Sequence, residues 1–286
     1  MWWTAVDYDK ILPLLARLPT SYGYWFSQWR GLLYALLKRD WRIVTGVDAD
    51  VDLRTTLALA LLYPQASINQ QRTYRRQRYQ AQAIAEWTSE RLAQHIMQVH
   101  SPVLPQLPNA AIYITAHYGA SIEAAYWIEQ QSGSGLLMTS NIVAREDIPL
   151  SIQHHYQRKY APLSHQDVET APNAFLRQLK KGKSIILLAD LPGDIHHCTS
   201  VETALGIANL ASGARRLAQA SGVPLIAYTA IYNARGQWQF SFSPLCYVSK
   251  DDGSGYEPAY HHLTSQLLAH PEHWWAMDLL PLWYPR

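Results

Sequence analysis

His117 closes a run of strand-forming residues, Ile112, Tyr113, Ile114 and Thr115, and leads through Gly119 into an alanine-rich segment, 120–128, that carries Glu123. A short apolar run of β-branched and aromatic residues reads as a buried strand. An imidazole at the carboxyl end of such a strand lies where open α/β sheets place their sites. Near neutral pH it can take a proton from an attacking group while a carboxylate fixes its tautomer and orientation. Glu123, less than two helical turns on, is the first candidate for that carboxylate. A second buried run, 184–189, ends on Asp190-Leu-Pro-Gly-Asp194. Were the two strands parallel neighbours, Asp190 and Asp194 would reach the same sheet edge as His117, to support it or to shape an acceptor site. The same residues also suit a plainer role: a histidine hydrogen-bonded in a turn, and aspartates capping one around Pro192-Gly193.

Other chemistries are less well framed. His196-His197-Cys198 puts adjacent ligands in one turn with no second cluster at zinc spacing, and His154-His155 and His261-His262 fare no better, so no metal is expected. There is no G-x-S-x-G elbow for a nucleophilic serine, and Ser212-Gly213 reads as a packing or phosphate-facing position. Neither a phosphate loop nor a dinucleotide fingerprint occurs.

The elements that must hold these residues follow from the pattern of the chain. Helices are expected over 8–18, 22–39, 52–63 and 67–99, the last with Arg72, Arg75, Arg76 and Arg78 in its first half. Such an arginine run is usually a solvated face, and can also meet phosphates or an acidic carrier protein. Pro102, Pro105 and Pro108 form a stiff linker, dividing an N-terminal helical region, 1–101, from an α/β part, 102–286. Beyond it, strands at 112–115, 135–140 and 184–189 alternate with helices at 120–128, 148–160 (one helix or two broken ones), 173–181 and 204–221, and a hairpin joins 225–232 to 237–243. A last helix spans 256–269. The expectation is an α/β fold: a central mixed, mostly parallel sheet flanked by helices, with an N-terminal helical subdomain.

Of 286 residues, 48% are hydrophobic and only 16% charged, which is the composition of a globular chain. Eleven tryptophans and eighteen tyrosines against four phenylalanines suit membrane interfaces and acyl-lined grooves as well as ordinary cores. Trp2, Trp3, Trp25, Phe26, Trp29 and Tyr34, with Arg30, Lys38, Arg39 and Arg42 at the polar end, suit a helix lying on an anionic bilayer or one packing its rings inward. A net charge of +2 gives no reason to expect a nucleic-acid partner. No stretch has the roughly 18 to 20 apolar residues of a membrane span, and the first residues do not read as a signal peptide. Two cysteines without redox or metal spacing point to a reduced, cytoplasmic setting, although one disulfide is open.

Three blocks together resemble the lysophospholipid acyltransferase superfamily, in the branch of bacterial lipid A late (lauroyl and myristoyl) acyltransferases. ITAHYGASIEAA is similar to the family's strand ending in a catalytic histidine, a glycine and an acid. The stretch from FLRQLKKGKSIILLADLPGD to TALGIANLASGARRLAQASGVPLIAYTAIYNARGQWQFSFSPL is similar to its acid-ended strand, small-residue helix and Arg-Gly strand pair, and HPEHWWAMDLLPLWYPR to its ending. The resemblance implies transfer of a fatty acyl chain from an acyl carrier protein or coenzyme A thioester to a hydroxyl or amine of a lipid, sugar-lipid or other acceptor, without an acyl-enzyme and without a cofactor beyond that co-substrate. It makes His117 the general base, Glu123 or Asp190 its partner, and Arg158, Asp194, Ser212, Gly213, Tyr118 and Gly119 candidates for substrate contact. It also implies a peripheral contact with the inner face of the cell membrane. A catalytically weakened relative that binds acyl chains or acyl carrier protein is the alternative, and a thioester or lipid hydrolase a third. Two departures stand out. The family's acid falls at Ile122 here, with Glu123 one place further, and at about 100° of helix per residue that redirects the carboxylate. The N-terminal anchor and the basic residues of the ending are reduced, so an acceptor other than lipid A fits as well.

Overall fold

A computed structural model of the chain describes residues 2–37, 40, 42–43, 48–96, 102, 104–132, 135–139, 146–167, 174–193 and 197–284. The first helix is continuous from Trp2 but changes pitch: α1 (Trp2–Val6) passes through a π-helical stretch, Asp7–Ile11, into α2 (Leu12–Arg17). The stretch coincides with a buried polar cluster. Asp7 takes Arg30 and the Tyr34 hydroxyl, while Arg30 also reaches Glu86 at 2.6 Å and the Tyr8 hydroxyl donates to Glu86 at 2.9 Å. α3 (Thr20–Leu37) follows, then α4 (Val51–Leu62) and α5 (Ile68–Ala93). α5 starts at a capping box in which the Ser67 N–H donates to the Gln70 side chain and the Gln70 N–H to the Ser67 hydroxyl.

The rest alternates strand and helix. β1 (Ile112–Thr115) leads to α6 (Ser121–Ser132), β2 (Gly135–Thr139), α7 (Leu150–Tyr160), β3 (His165–Asp167), α8 (Ala174–Lys180) and β4 (Ser184–Leu188). β5 (Cys198–Thr203) and β6 (Gly206–Ala211) form a separate hairpin before α9 (Gly213–Ser221). β7 (Leu225–Tyr232), β8 (Trp238–Phe242) and α10 (Glu257–Ala269) follow, and the tail ends in two short 3-10 turns, Pro271–His273 and Met277–Trp283.

The chain is thus mixed α/β, and the main sheet runs β3-β2-β4-β1-β7-β8, parallel except for β8. Alternate residues of the central strands serve two cores. Ile112 and Ile114 face the layer of α8, α9, α10 and the tail, while Tyr113 faces α2, α6 and α7.

One expected element is corrected. Residues 204–221 are not a single helix: only 213–221 are helical, and 206–211 pair antiparallel with 198–203. In β6, Ala208 and Leu210 are buried while their neighbours are not, a period of two, and Gly206 at φ 112° makes a turn that other residues resist. Both cysteines are free thiols.

Candidate functional site

β1 and β4 are parallel neighbours, with Thr115 opposite Leu188. His117 and Asp190 lie two residues beyond that pair, so the register itself delivers them side by side at the carboxyl edge of the sheet. The contact is close: His117 Nδ1 lies 3.0 Å from Asp190 Oδ1 and 3.1 Å from Oδ2. The His117 backbone N–H donates to Oδ2 at 3.0 Å, and the Trp274 indole N–H donates to the same oxygen at 3.0 Å. The Trp283 indole donates to the Asp190 carbonyl, also at 3.0 Å. Asp190 is wholly buried, whereas the His117 side chain keeps 19% of its surface exposed.

An ionised Asp190 accepts from three N–H groups and so fixes the proton on Nδ1 of neutral His117. Nε2 is then the unprotonated nitrogen, on the side of the ring away from the carboxylate. Trp275 packs edge-to-face on the imidazole, with ring centres 4.7 Å apart, and its backbone N–H donates to the His117 carbonyl. The ring is therefore held by its partner, its own backbone and an indole face.

The turn after His117 is structural. Gly119 has φ 51°, and a Cβ there would sit 2.6 Å from the Ala230 carbonyl oxygen. The N–H groups of Tyr118, Gly119, Ala120 and Ser121 all donate to carbonyls within the fold, so none is left to hold a developing oxyanion. Tyr118 is buried and bridges to Trp274, and burial, with Glu272 nearby, pushes its hydroxyl pKa up. Tyr118 and Gly119 are both buried and shape the loop.

Glu123 is not the partner of His117. Its carboxylate takes Lys159 at 3.0 Å and the Ser89 hydroxyl, buried on the far side of the first turn of α6. Burial works against the Lys159 charge, but Glu123 outweighs it and the ammonium is held above its ordinary pKa. With α6 starting at Ser121, the extra residue between histidine and acid turns the carboxylate toward α5 and α7. Arg158 is likewise engaged, donating to Glu90 at 3.0 Å and to the Tyr8 carbonyl at 2.7 Å, which ties α7 to the N-terminal helix. Ser212 is buried at the start of α9, where its N–H donates to the His197 carbonyl. Gly213 opens on free space, with nothing within 4 Å of a Cβ. Both stand next to β6, whose Leu210 bridges to Pro192 of the loop after β4, and neither is hydrogen-bonded to His117 or Asp190. Asp194 and His196 lie outside the described residues.

Sequence reasoning missed the indoles of Trp274 and Trp283. Their tail was visible as an aromatic run, but which ring would donate to Asp190 depends on how the tail folds back across β1 and β4. As a donor set, the site offers one imidazole nitrogen and a carboxylate already engaged by N–H groups, which suits proton transfer far better than metal ligation. No known protein-family model matches the chain, and no curated protein is significantly similar to it.

Proposed function

We propose that the protein is an acyltransferase in which His117 is the general base and Asp190 its orienting carboxylate. The observation that carries the reading is the buried, triply hydrogen-bonded Asp190 on Nδ1 of a histidine that is still partly exposed at the sheet edge. Nε2 takes the proton of an incoming hydroxyl or amine as its oxygen or nitrogen attacks the thioester carbonyl. The carbon–sulfur bond then breaks, and the departing thiolate takes the proton back from the imidazolium. Asp190 stabilises the charge that His117 carries between these steps. The ring's described contacts are Asp190 and Trp275, with no serine or cysteine hydrogen-bonded to it, which favours direct attack by an external acceptor over an acyl-enzyme. The resemblance of the three sequence blocks to lipid A late acyltransferases points to a fatty acyl thioester, of acyl carrier protein or coenzyme A, as donor.

The test is thiol release from such thioesters by the full chain, with and without lipid, sugar-lipid, alcohol and amine acceptors. The expected result is acceptor-dependent release with matching acylated acceptor, abolished in His117→Ala. Release that yields only free fatty acid would make the protein a hydrolase. Saturable thioester or carrier binding without turnover would make it a weakened relative.

A further inference from the structure

The apolar side chains of α3 stand on the side of the helix that faces away from the protein. Its inner seam is built from Gly23, Ser27 and Gly31, all buried, which let it lie so close to α5 that a Cβ at Gly31 would come within 2.6 Å of the Gln80 Cα and the Tyr79 carbonyl oxygen. Trp25, Phe26, Trp29, Leu33, Leu36 and Leu37 share the outer face, each between 43% and 57% exposed. A helix meeting only water has the opposite arrangement.

The surface continues on both sides. An apolar groove of about 420 Å³ runs between the outer face of α3 and α1–α2, where Trp2, Val6 and Ile11 form its other wall. Where α3 ends, Leu36 borders a second hollow of about 400 Å³ shared with Ile68, Arg72, Arg75 and Arg76 of α5. Arg75 is paired with Asp52, whereas Arg72 and Arg76 are exposed and make no ion pair among the described residues. Neither α3 nor residues 68–85 of α5 contain an aspartate or glutamate.

We propose that this face docks onto a lipid bilayer carrying anionic headgroups, with the aromatic stripe of α3 at the level of the headgroups and acyl-chain ends and Arg72 and Arg76 on lipid phosphates. Three observations select this occupant. Tryptophans among leucines, edged by arginines, match the layered chemistry of a membrane interface, and the two acids beside them, Asp7 at the groove and Asp52 at the hollow, are each paired with an arginine. No helix among the described residues is long and apolar enough to cross a membrane, so α3 lies along it. A two-fold contact with a second copy through the same face would bring two arginine hollows toward one another, while an acidic carrier protein would satisfy the arginines and leave the indoles uncovered. The proposal does not rest on acyl transfer and stands or falls separately from it.

Flotation of the full chain with vesicles of phosphatidylcholine alone, or with about a third phosphatidylglycerol, tests it. The expected result is binding to the anionic vesicles, at least about tenfold weaker on neutral ones and weakened by salt. Trp25→Ser with Trp29→Ser abolishes binding to both compositions without changing the circular dichroism or the melting temperature, as these rings are exposed. Arg72→Gln with Arg76→Gln removes only the preference for phosphatidylglycerol. Three outcomes would overturn the proposal: wild type that binds neither vesicle, self-association in solution that the tryptophan substitutions abolish, or binding of acyl carrier protein that they abolish in place of vesicle binding.

Discussion

At Asp190 three N–H donors converge on a carboxylate with no exposed surface, and each has a separate cost if lost. Trp274 is the most informative, because its indole hydrogen-bonds the acid and not the imidazole. Trp274→Phe keeps a ring in the core and removes one hydrogen bond to a charged acceptor, a loss of about 1.5 kcal/mol. If Trp274 positions Asp190, kcat falls about tenfold at unchanged KM. A purely structural role would instead lower the melting temperature and the active fraction with kcat per folded molecule intact. His117 and Asp190 were both visible as titratable residues ending buried runs. Their pairing was legible only as one of two options, because it depends on which strand lies beside β1, and nearness in sequence put Glu123 first.

Between elements, the contact of α3 with α5 depends on residues too small to attract notice. Gly31→Val would drive two methyl groups into the backbone of 79–80, so α3 must shift outward at a cost of about 1–3 kcal/mol. Thermal unfolding should show a drop of several degrees, and an unchanged melting temperature would mean that the seam is looser than described. The helices of the N-terminal part were legible from their caps and apolar spacing. The hairpin 198–211 was hidden because the helical pattern of 213–221 runs smoothly back into GIANLA, whose period of two is only three turns of the pleat long. The arginine run resolved into different roles: Arg78 is wholly buried between Asp278, at 3.1 Å, and Asp40, at 3.6 Å, while its neighbours stay at the surface.

For the molecule as a whole, two sets of buried groups set the acid limit. Burial, with Lys159, Arg158 and Arg30 nearby, drives the His155 pKa well below its ordinary value, so folding favours the neutral ring. The unfolded chain then binds more protons than the native one below about pH 6.5, and stability falls as pH drops from there. Burial opposes the charges of Asp278 and Asp40, but Arg78 and Arg42 outweigh it and hold both carboxyls below the usual range. Their contribution is full above about pH 4 and is lost as pH falls through the lowered values. Melting temperature against pH should therefore decline in two stages, with His155→Phe flattening the upper one; a single decline near pH 4, the same in both proteins, would contradict this. The most direct measurement of the central claim is turnover of an acyl thioester, with its acceptor, by folded Asp190→Asn and Glu123→Gln. The Asp190 carboxylate alone fixes the tautomer of His117, so Asp190→Asn should lose on the order of 10³–10⁴ in kcat while Glu123→Gln retains most of it. Full activity in Asp190→Asn, or collapse in Glu123→Gln alone, would contradict the assignment.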